Sequence, residues 1–82
     1  MLQVTEVRPT SGYRLWVRFN DGLEGEVDLS GELDGAMFEP LRDRAVFAQV
    51  RVDPEVHTIA WPNGADVAPE FLRGLVVQRS AA

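Results

Sequence analysis

Two stretches in the first third of the chain alternate between residues that suit a core and residues that suit a solvent-facing surface. In Tyr13–Phe19 every odd-numbered residue is apolar or aromatic, and Arg14, Trp16 and Arg18 lie between them. In Leu23–Leu29 the odd positions hold Leu, Gly, Val and Leu, and the even positions are all acidic. A period of two over seven residues indicates a half-buried β-strand. The pattern therefore predicts two adjacent strands with a shared apolar face.

The length of the loop between these strands decides which residues pair. A two-residue turn would place Phe19 opposite Glu24 and mix apolar and charged side chains on one face. A three-residue loop, Asn20-Asp21-Gly22, pairs Phe19 with Leu23 and brings every apolar residue to one side. Such loops are closed by a glycine in the left-handed conformation, which Gly22 adopts without steric cost. The predicted register sets Arg18 opposite Glu24, Trp16 opposite Glu26 and Arg14 opposite Asp28.

Shorter and less regular elements surround this hairpin. Leu2–Arg8 predicts a strand, although its alternation is poor. Leu29, Leu33 and Met37 recur four residues apart, which indicates a helical turn or two with Ser30 as N-cap. The other predicted elements are a loop at Ala36–Leu41 held against the core, a short helix Arg44–Gln49 capped by Asp43, strands at Val50–Asp53 and Thr58–Trp61, a turn at Pro62-Asn63-Gly64, and a final helix that starts at Pro69.

The end of the chain allows two interpretations. Gly74 either interrupts the final helix or ends it, and in the second case Leu75–Val77 forms an edge strand. The chain has no internal repeat or linker, so we expect one domain over residues 1–82. The expected fold class is α+β, with a small antiparallel sheet of about five strands and two or three short helices.

Composition limits the chemistry and the location of the protein. The chain has 82 residues, is 45% hydrophobic and contains no cysteine. Disulfides, thiolate catalysis and cysteine-based metal sites are therefore excluded. The sequence has no apolar run of about 18 residues, and its first residues lack the pattern of a signal peptide. We expect a cytoplasmic protein that does not enter a membrane.

The charge is acidic and unevenly distributed. Eight arginines and thirteen acidic residues give a net charge of −5, and lysine is absent. Seven of the acidic residues fall within residues 20–39, where there is no basic residue. Because proteins that bind nucleic acids normally present a basic surface, we expect no nucleic-acid binding by this chain alone. An acidic chain is also repelled by anionic membrane surfaces, so we expect no binding to them.

No set of residues points to catalysis or to a metal. His57 is the single histidine, and no serine or threonine lies in a sequence context typical of a nucleophile. The acidic stretch lacks the spacing of a calcium loop, and its strand residues face arginines in the predicted register. We therefore expect no catalytic residue, no cofactor and no metal site.

The two tryptophans call for different interpretations. Trp61 follows Ile59 by two positions in a predicted strand and is expected in the core. Trp16 lies on the charged face between Arg14 and Arg18. It either covers the sheet surface, or lies under a helix, or forms a surface for a partner, since Trp and Arg are enriched at the energetic centres of interfaces. The candidate partner surface is Arg14, Trp16 and Arg18, and the exposure of Trp16 is left open.

Three segments carry a resemblance to a known family. They are Tyr13–Gly22 with Val27-Asp28-Leu29, then Phe38–Asp43 with Phe47, and then Ile59–Asp66 through Pro69-Glu70. Together they resemble the family catalogued as domain of unknown function 2442, which consists of small bacterial proteins. The resemblance implies a compact, mainly cytoplasmic α+β domain without an established activity, cofactor or catalytic residue.

The resemblance also implies a kind of role. Some relatives resemble this domain followed by a helix-turn-helix segment, and some are encoded beside a second small protein, as toxin–antitoxin pairs are. This sequence ends at Ala82 without a helix-turn-helix segment, so we expect no DNA-reading helix pair. The expected function is a non-enzymatic interaction module, the antitoxin-like or regulatory half of a pair, whose partner is a small basic protein encoded nearby. The alternatives are a structural homo-oligomer such as a homodimer, and then a small-ligand binder or an enzyme.

Overall fold

The central element is the hairpin of strands β2 (Arg14–Phe19) and β3 (Glu24–Asp28). A computed structural model describes residues 1–80 of the chain. The strands pair in the predicted register, with Leu15 opposite Val27 and Arg18 opposite Glu24. The Phe19 N–H donates to the Leu23 carbonyl at 2.8 Å, and Gly22 has a φ of +90°. The prediction of a three-residue loop with a left-handed glycine is confirmed.

Strand β1 (Val4–Pro9) pairs antiparallel with β2 and completes a sheet of order β1-β2-β3. The register shifts between Val4, which lies opposite Phe19, and Glu6, which lies opposite Arg18. Thr5 is thus the extra residue of a β-bulge. Because the bulge shifts the alternation by one, Val4 and Val7 both pack against the core although they are three residues apart. This explains why Leu2–Arg8 alternates poorly.

The last two strands form a second sheet. Strands β4 (Arg51–Asp53) and β5 (Thr58–Ala60) pair antiparallel with each other. A hydrogen bond from the Val4 N–H to the His57 carbonyl, 3.0 Å long, joins this sheet to the start of β1. The expected α+β fold with five strands is confirmed, and its strands are divided into a three-stranded and a two-stranded sheet.

Two α-helices accompany the sheets. Helix α1 (Arg44–Phe47) begins after Asp43, whose carboxylate accepts the Ala45 N–H at 2.9 Å as predicted, but the helix ends before Gln49. Helix α2 (Pro69–Ser80) continues through Gly74. Leu75–Val77 is therefore helical, and the edge-strand alternative is wrong.

The segment after β3 departs from the predicted helical turns. It contains two 3₁₀ turns, at Ser30–Glu32 and Glu39–Arg42. Ser30 does not cap the first turn. Leu29 holds the N-cap position, and the Ser30 N–H donates to the Asp28 carboxylate at 2.9 Å. A three-residue turn is too short to repeat every four residues, and Met37 is accordingly exposed.

One apolar core lies between the sheets and α2. Trp61 is buried in it, as predicted, and its indole N–H donates to the Phe47 carbonyl at 2.9 Å. Helix α2 packs on β3 at Gly25, where an added Cβ would lie 2.8 Å from Cγ1 of Val76. The absence of a side chain at Gly25 thus lets the helix cover the inner face of the sheet. The opposite face is left to solvent.

Candidate functional site

The candidate surface is the outer face of the three-stranded sheet, which points away from the core. The registers bring Arg14, Trp16 and Arg18 together on this face, as the sequence predicted. They also add Glu6 and Arg8 from β1, which the sequence did not predict. The feature of the sequence that could have indicated these two residues is the spacing of Val4 and Val7, which lie three residues apart although both face the core. We define the outer face by the side chains of Glu6, Arg8, Arg14, Trp16, Arg18, Glu24, Glu26 and Asp28.

Trp16 occupies the middle of the outer face and is partly buried. The guanidinium carbons of Arg8 and Arg18 lie over its ring, 5.0 and 5.3 Å from the centroid. Both distances are within the range of cation–π attraction, about 6 Å. Glu6 contacts both arginines, at 2.7 Å from Arg8 and 3.6 Å from Arg18. Trp16 is therefore neither a core residue nor fully exposed. Its ring lies under Arg8 and Arg18, which both contact the carboxylate of Glu6.

Ion pairs surround this tryptophan, as the predicted register requires. Arg18 contacts Glu24 at 2.9 Å, and Arg14 contacts Glu26 and Asp28 at 3.6 Å each. The side chains in these pairs are 31–47% exposed. Exposed ion pairs contribute only about 0–1 kcal/mol each, because water screens them and the side chains lose rotamer freedom. These arginines can therefore exchange partners at a small cost in free energy.

His57 and its neighbour Thr58 form hydrogen bonds around the start of β5. His57 is exposed, precedes β5 with a φ of +57°, and donates its backbone N–H to the Asp53 carbonyl at 2.8 Å. The hydroxyl of the next residue, Thr58, donates to the Val67 carbonyl. Within residues 1–80, no three histidine, aspartate or glutamate side chains are placed to hold a metal ion together.

Three aspartates, Asp21, Asp28 and Asp53, stabilise turns through their carboxylates. The Leu23 N–H, and then the Arg73 guanidinium at 2.9 Å, lower the pKa of Asp21 below its usual value. The backbone N–H groups of Ser30 and Glu55 are the main causes of the lowered pKa of Asp28 and of Asp53. In each case a hydrogen bond to the charged form favours ionisation. We call this set the turn aspartates.

Comparison with known proteins identifies the family. Residues 4–77 match the model of a family described as a protein of unknown function, DUF2442. Because the match covers nearly the whole chain, the chain belongs to this family, and the resemblance expected from the sequence is confirmed. No curated protein and no solved structure matches the chain. None of the helices in the described part combines the length and the apolarity that crossing a membrane requires.

Proposed function

We propose that this member of the DUF2442 family is a non-enzymatic module that binds another protein through the outer face around Arg14, Trp16 and Arg18. In this proposal the partner is a small basic protein encoded nearby. The chain acts in the cytoplasm as the antitoxin-like or regulatory half of the pair. The observation that carries the proposal is Trp16, which lies on the solvent side of a sheet whose other face is already covered by α2.

The arrangement around Trp16 suits a protein interface. Tryptophan and arginine dominate the binding energy of many interfaces, because they combine a large apolar area with directed polar contacts. The indole of Trp16 supplies apolar area at the centre of the face. Arg8 and Arg18 form exposed ion pairs, so they can turn towards carboxylates of a partner and uncover the ring.

Charge supports a basic partner. The outer face combines three arginines with four carboxylates, and three of these carboxylates, Glu24, Glu26 and Asp28, lie along β3. The chain as a whole carries −5. Opposite net charges accelerate association and set orientation more than they raise affinity. An acidic chain is in the same way a poor match for DNA phosphates, so the proposal assigns no nucleic acid to this chain alone.

Co-purification tests this proposal. The chain is co-expressed with the tagged product of the neighbouring gene, and Trp16→Ala is compared with Val56→Ala, which truncates an exposed apolar side chain in the β4–β5 connection. Circular dichroism establishes that both variants are folded. We expect Val56→Ala to be retained by the partner and folded Trp16→Ala to be lost. Retention of folded Trp16→Ala would contradict the proposal.

Two further measurements examine the alternatives. Sedimentation of the purified chain should show a monomer; a dimer that Trp16→Ala dissociates, without capture of a partner, would favour the homo-oligomer. A gel-shift assay at physiological salt should show no binding of DNA. Tight DNA binding without a partner would contradict the interaction-module proposal.

A further inference from the structure

A groove of about 330 Å³ opens on the side of the three-stranded sheet that carries α2, away from the outer face. Buried Leu29, Leu33 and Trp61 contribute to its lining. Phe38 and Phe71 contribute as well, and Phe71 is 44% exposed. Exposed aromatic side chains around a concave apolar surface are typical of binding sites. The groove is therefore a candidate site on a second surface.

Hydrogen bonds hold the groove in shape. The indole N–H of Trp61 donates to the Phe47 carbonyl, which orients the ring. Beside it, the Val67 N–H donates to the Ile59 carbonyl at 3.3 Å, and the Val67 carbonyl accepts the Thr58 hydroxyl. The lining is thus organised before a ligand arrives, which reduces the free energy of ordering on binding.

Two carboxylates give the groove its charge preference. Glu32 and Asp66 line it and are exposed. Among the described side chains neither forms an ion pair, since the arginines contact other acidic residues or the Tyr13 ring. Ala68, which immediately precedes α2, also lines the groove, and a helix N-terminus contributes about half a positive charge. The negative charge of the two carboxylates is larger than the half positive charge of the helix N-terminus, so the groove favours a cation.

We infer that the groove binds a segment of a partner polypeptide in which one large apolar side chain is flanked by arginine or lysine. Pockets for small ligands range over roughly 300–1,000 Å³. The groove is at the lower end of this range and suits a single large side chain. The apolar side chain would contact Phe38 and Phe71, and the flanking cations would reach Glu32 and Asp66. This site lies apart from the outer face, so the inference does not depend on the role of Trp16.

The first test is an NMR titration of the full isotopically labelled chain with short blocked peptides. The probe Arg-Ala-Phe-Ala-Arg should shift the amide signals of Leu33, Val67 and Phe71 and the indole N–H of Trp61. Arg-Ala-Ala-Ala-Arg and Glu-Ala-Phe-Ala-Glu should each bind at least tenfold more weakly. No shift of these signals at millimolar probe would overturn the inference, and so would equal affinity for the glutamate-flanked peptide.

Charge variants form the second test. Glu32→Gln combined with Asp66→Asn should weaken binding of the arginine-flanked probe about tenfold, because the double variant lacks both negative charges. The fold should be unchanged, since both positions are exposed and the substitutions keep the side-chain shape. Glu55→Gln, in the β4–β5 connection, serves as the matched control and should leave binding unchanged. Equal binding by the double variant would overturn the inference. A dimer that Phe71→Ala dissociates would assign the groove to a second copy and also overturn it. Neither result would affect capture of the partner through Trp16.

Discussion

Gly25→Ala tests the packing that leaves the outer face free. The added Cβ would lie 2.8 Å from Cγ1 of Val76, whereas an ordinary contact is 3.4–4 Å. Val76 is 1% exposed, so its methyl group has no room to turn away. Overpacking a core costs about 1–3 kcal/mol, and replacing a strand glycine returns about 0.5–1 kcal/mol through the unfolded chain. A contact of 2.8 Å places the cost in the upper half of the overpacking range, so we expect a net loss of about 1–2.5 kcal/mol in the free energy of unfolding.

A double-mutant cycle separates this contact from other effects of alanine. Val76→Ala removes two buried methyl groups and should cost about 2 kcal/mol, including the cavity it leaves. In the double variant the new methyl at position 25 occupies part of that cavity. The combined loss should therefore be smaller than the sum of the single losses by about 1 kcal/mol or more. Gly74→Ala is the control, because nothing lies within 4 Å of its Cβ position in α2, and it should stabilise the chain by up to about 1 kcal/mol.

Urea unfolding followed by circular dichroism measures the free energies of unfolding of the wild type, the two single variants, the double variant and the Gly74→Ala control. A change of about 1–2.5 kcal/mol corresponds to a fall of roughly 4–20 °C in melting temperature for a domain of this size. Wild-type stability of Gly25→Ala, or strict additivity in the cycle, would refute the packing of α2 on β3 at this point. It would then no longer follow that the helix covers one face and leaves Trp16 on the other.

Three other predictions concern turns. Gly22→Val should lower the free energy of unfolding by more than about 1 kcal/mol, because valine is strained at a φ of +90°. The control Gly31→Val, at a position with open space around the added side chain, should cost less than half as much. Equal losses for the two variants in urea unfolding would contradict this prediction. The folded pKa values of the turn aspartates lie below their usual values. Their stabilisation is therefore fully present above about pH 5, where the carboxylates are ionised in both the folded and the unfolded chain, and it is lost as the pH falls through the unfolded value of about 4 and then through the folded pKa values. Urea unfolding should show a free energy that falls as the pH is lowered from about 5 into the acid range, and an unchanged free energy would be inconsistent with this. His57→Gly should stabilise the chain by about 1 kcal/mol, since glycine adopts a φ of +57° without strain, and lower stability of this variant in urea unfolding would contradict the prediction. His57→Ala should leave capture of the partner unchanged, and loss of capture by a folded His57→Ala variant would show that His57 has a role in binding.

The hairpin was predictable because the residues that determine its register are close together in the sequence. Strict alternation and one loop length decide that Phe19 pairs with Leu23, and any other register would bury charge. The bulge at Thr5 was not predicted, since the poor alternation of Leu2–Arg8 does not show which residue of the strand is unpaired. Its consequence is large, because it places Arg8 over Trp16 and so decides how much of that ring is exposed.

Other features depend on contacts between distant segments. The aliphatic run at Leu75–Val77 suits a strand locally, but packing of Val76 against Gly25 favours the helix. The groove combines residues from the 3₁₀ turns, the end of β5 and the start of α2, so no window of the sequence reveals it. Arg14, Trp16 and Arg18 were expected on one face because that inference needs only the period of a strand.

The most direct test of the central claim is isothermal titration of the purified chain with the purified product of the neighbouring gene. Wild type, Trp16→Ala and Val56→Ala are compared after circular dichroism has established that each is folded. If Trp16 is the energetic centre of the interface, its truncation should cost at least about 2 kcal/mol, a loss of affinity of roughly 30-fold. Val56→Ala should bind within about twofold of wild type, since surface changes outside an interface are nearly neutral. Equal dissociation constants for wild type and folded Trp16→Ala would contradict the claim that this protein binds its partner through the outer face.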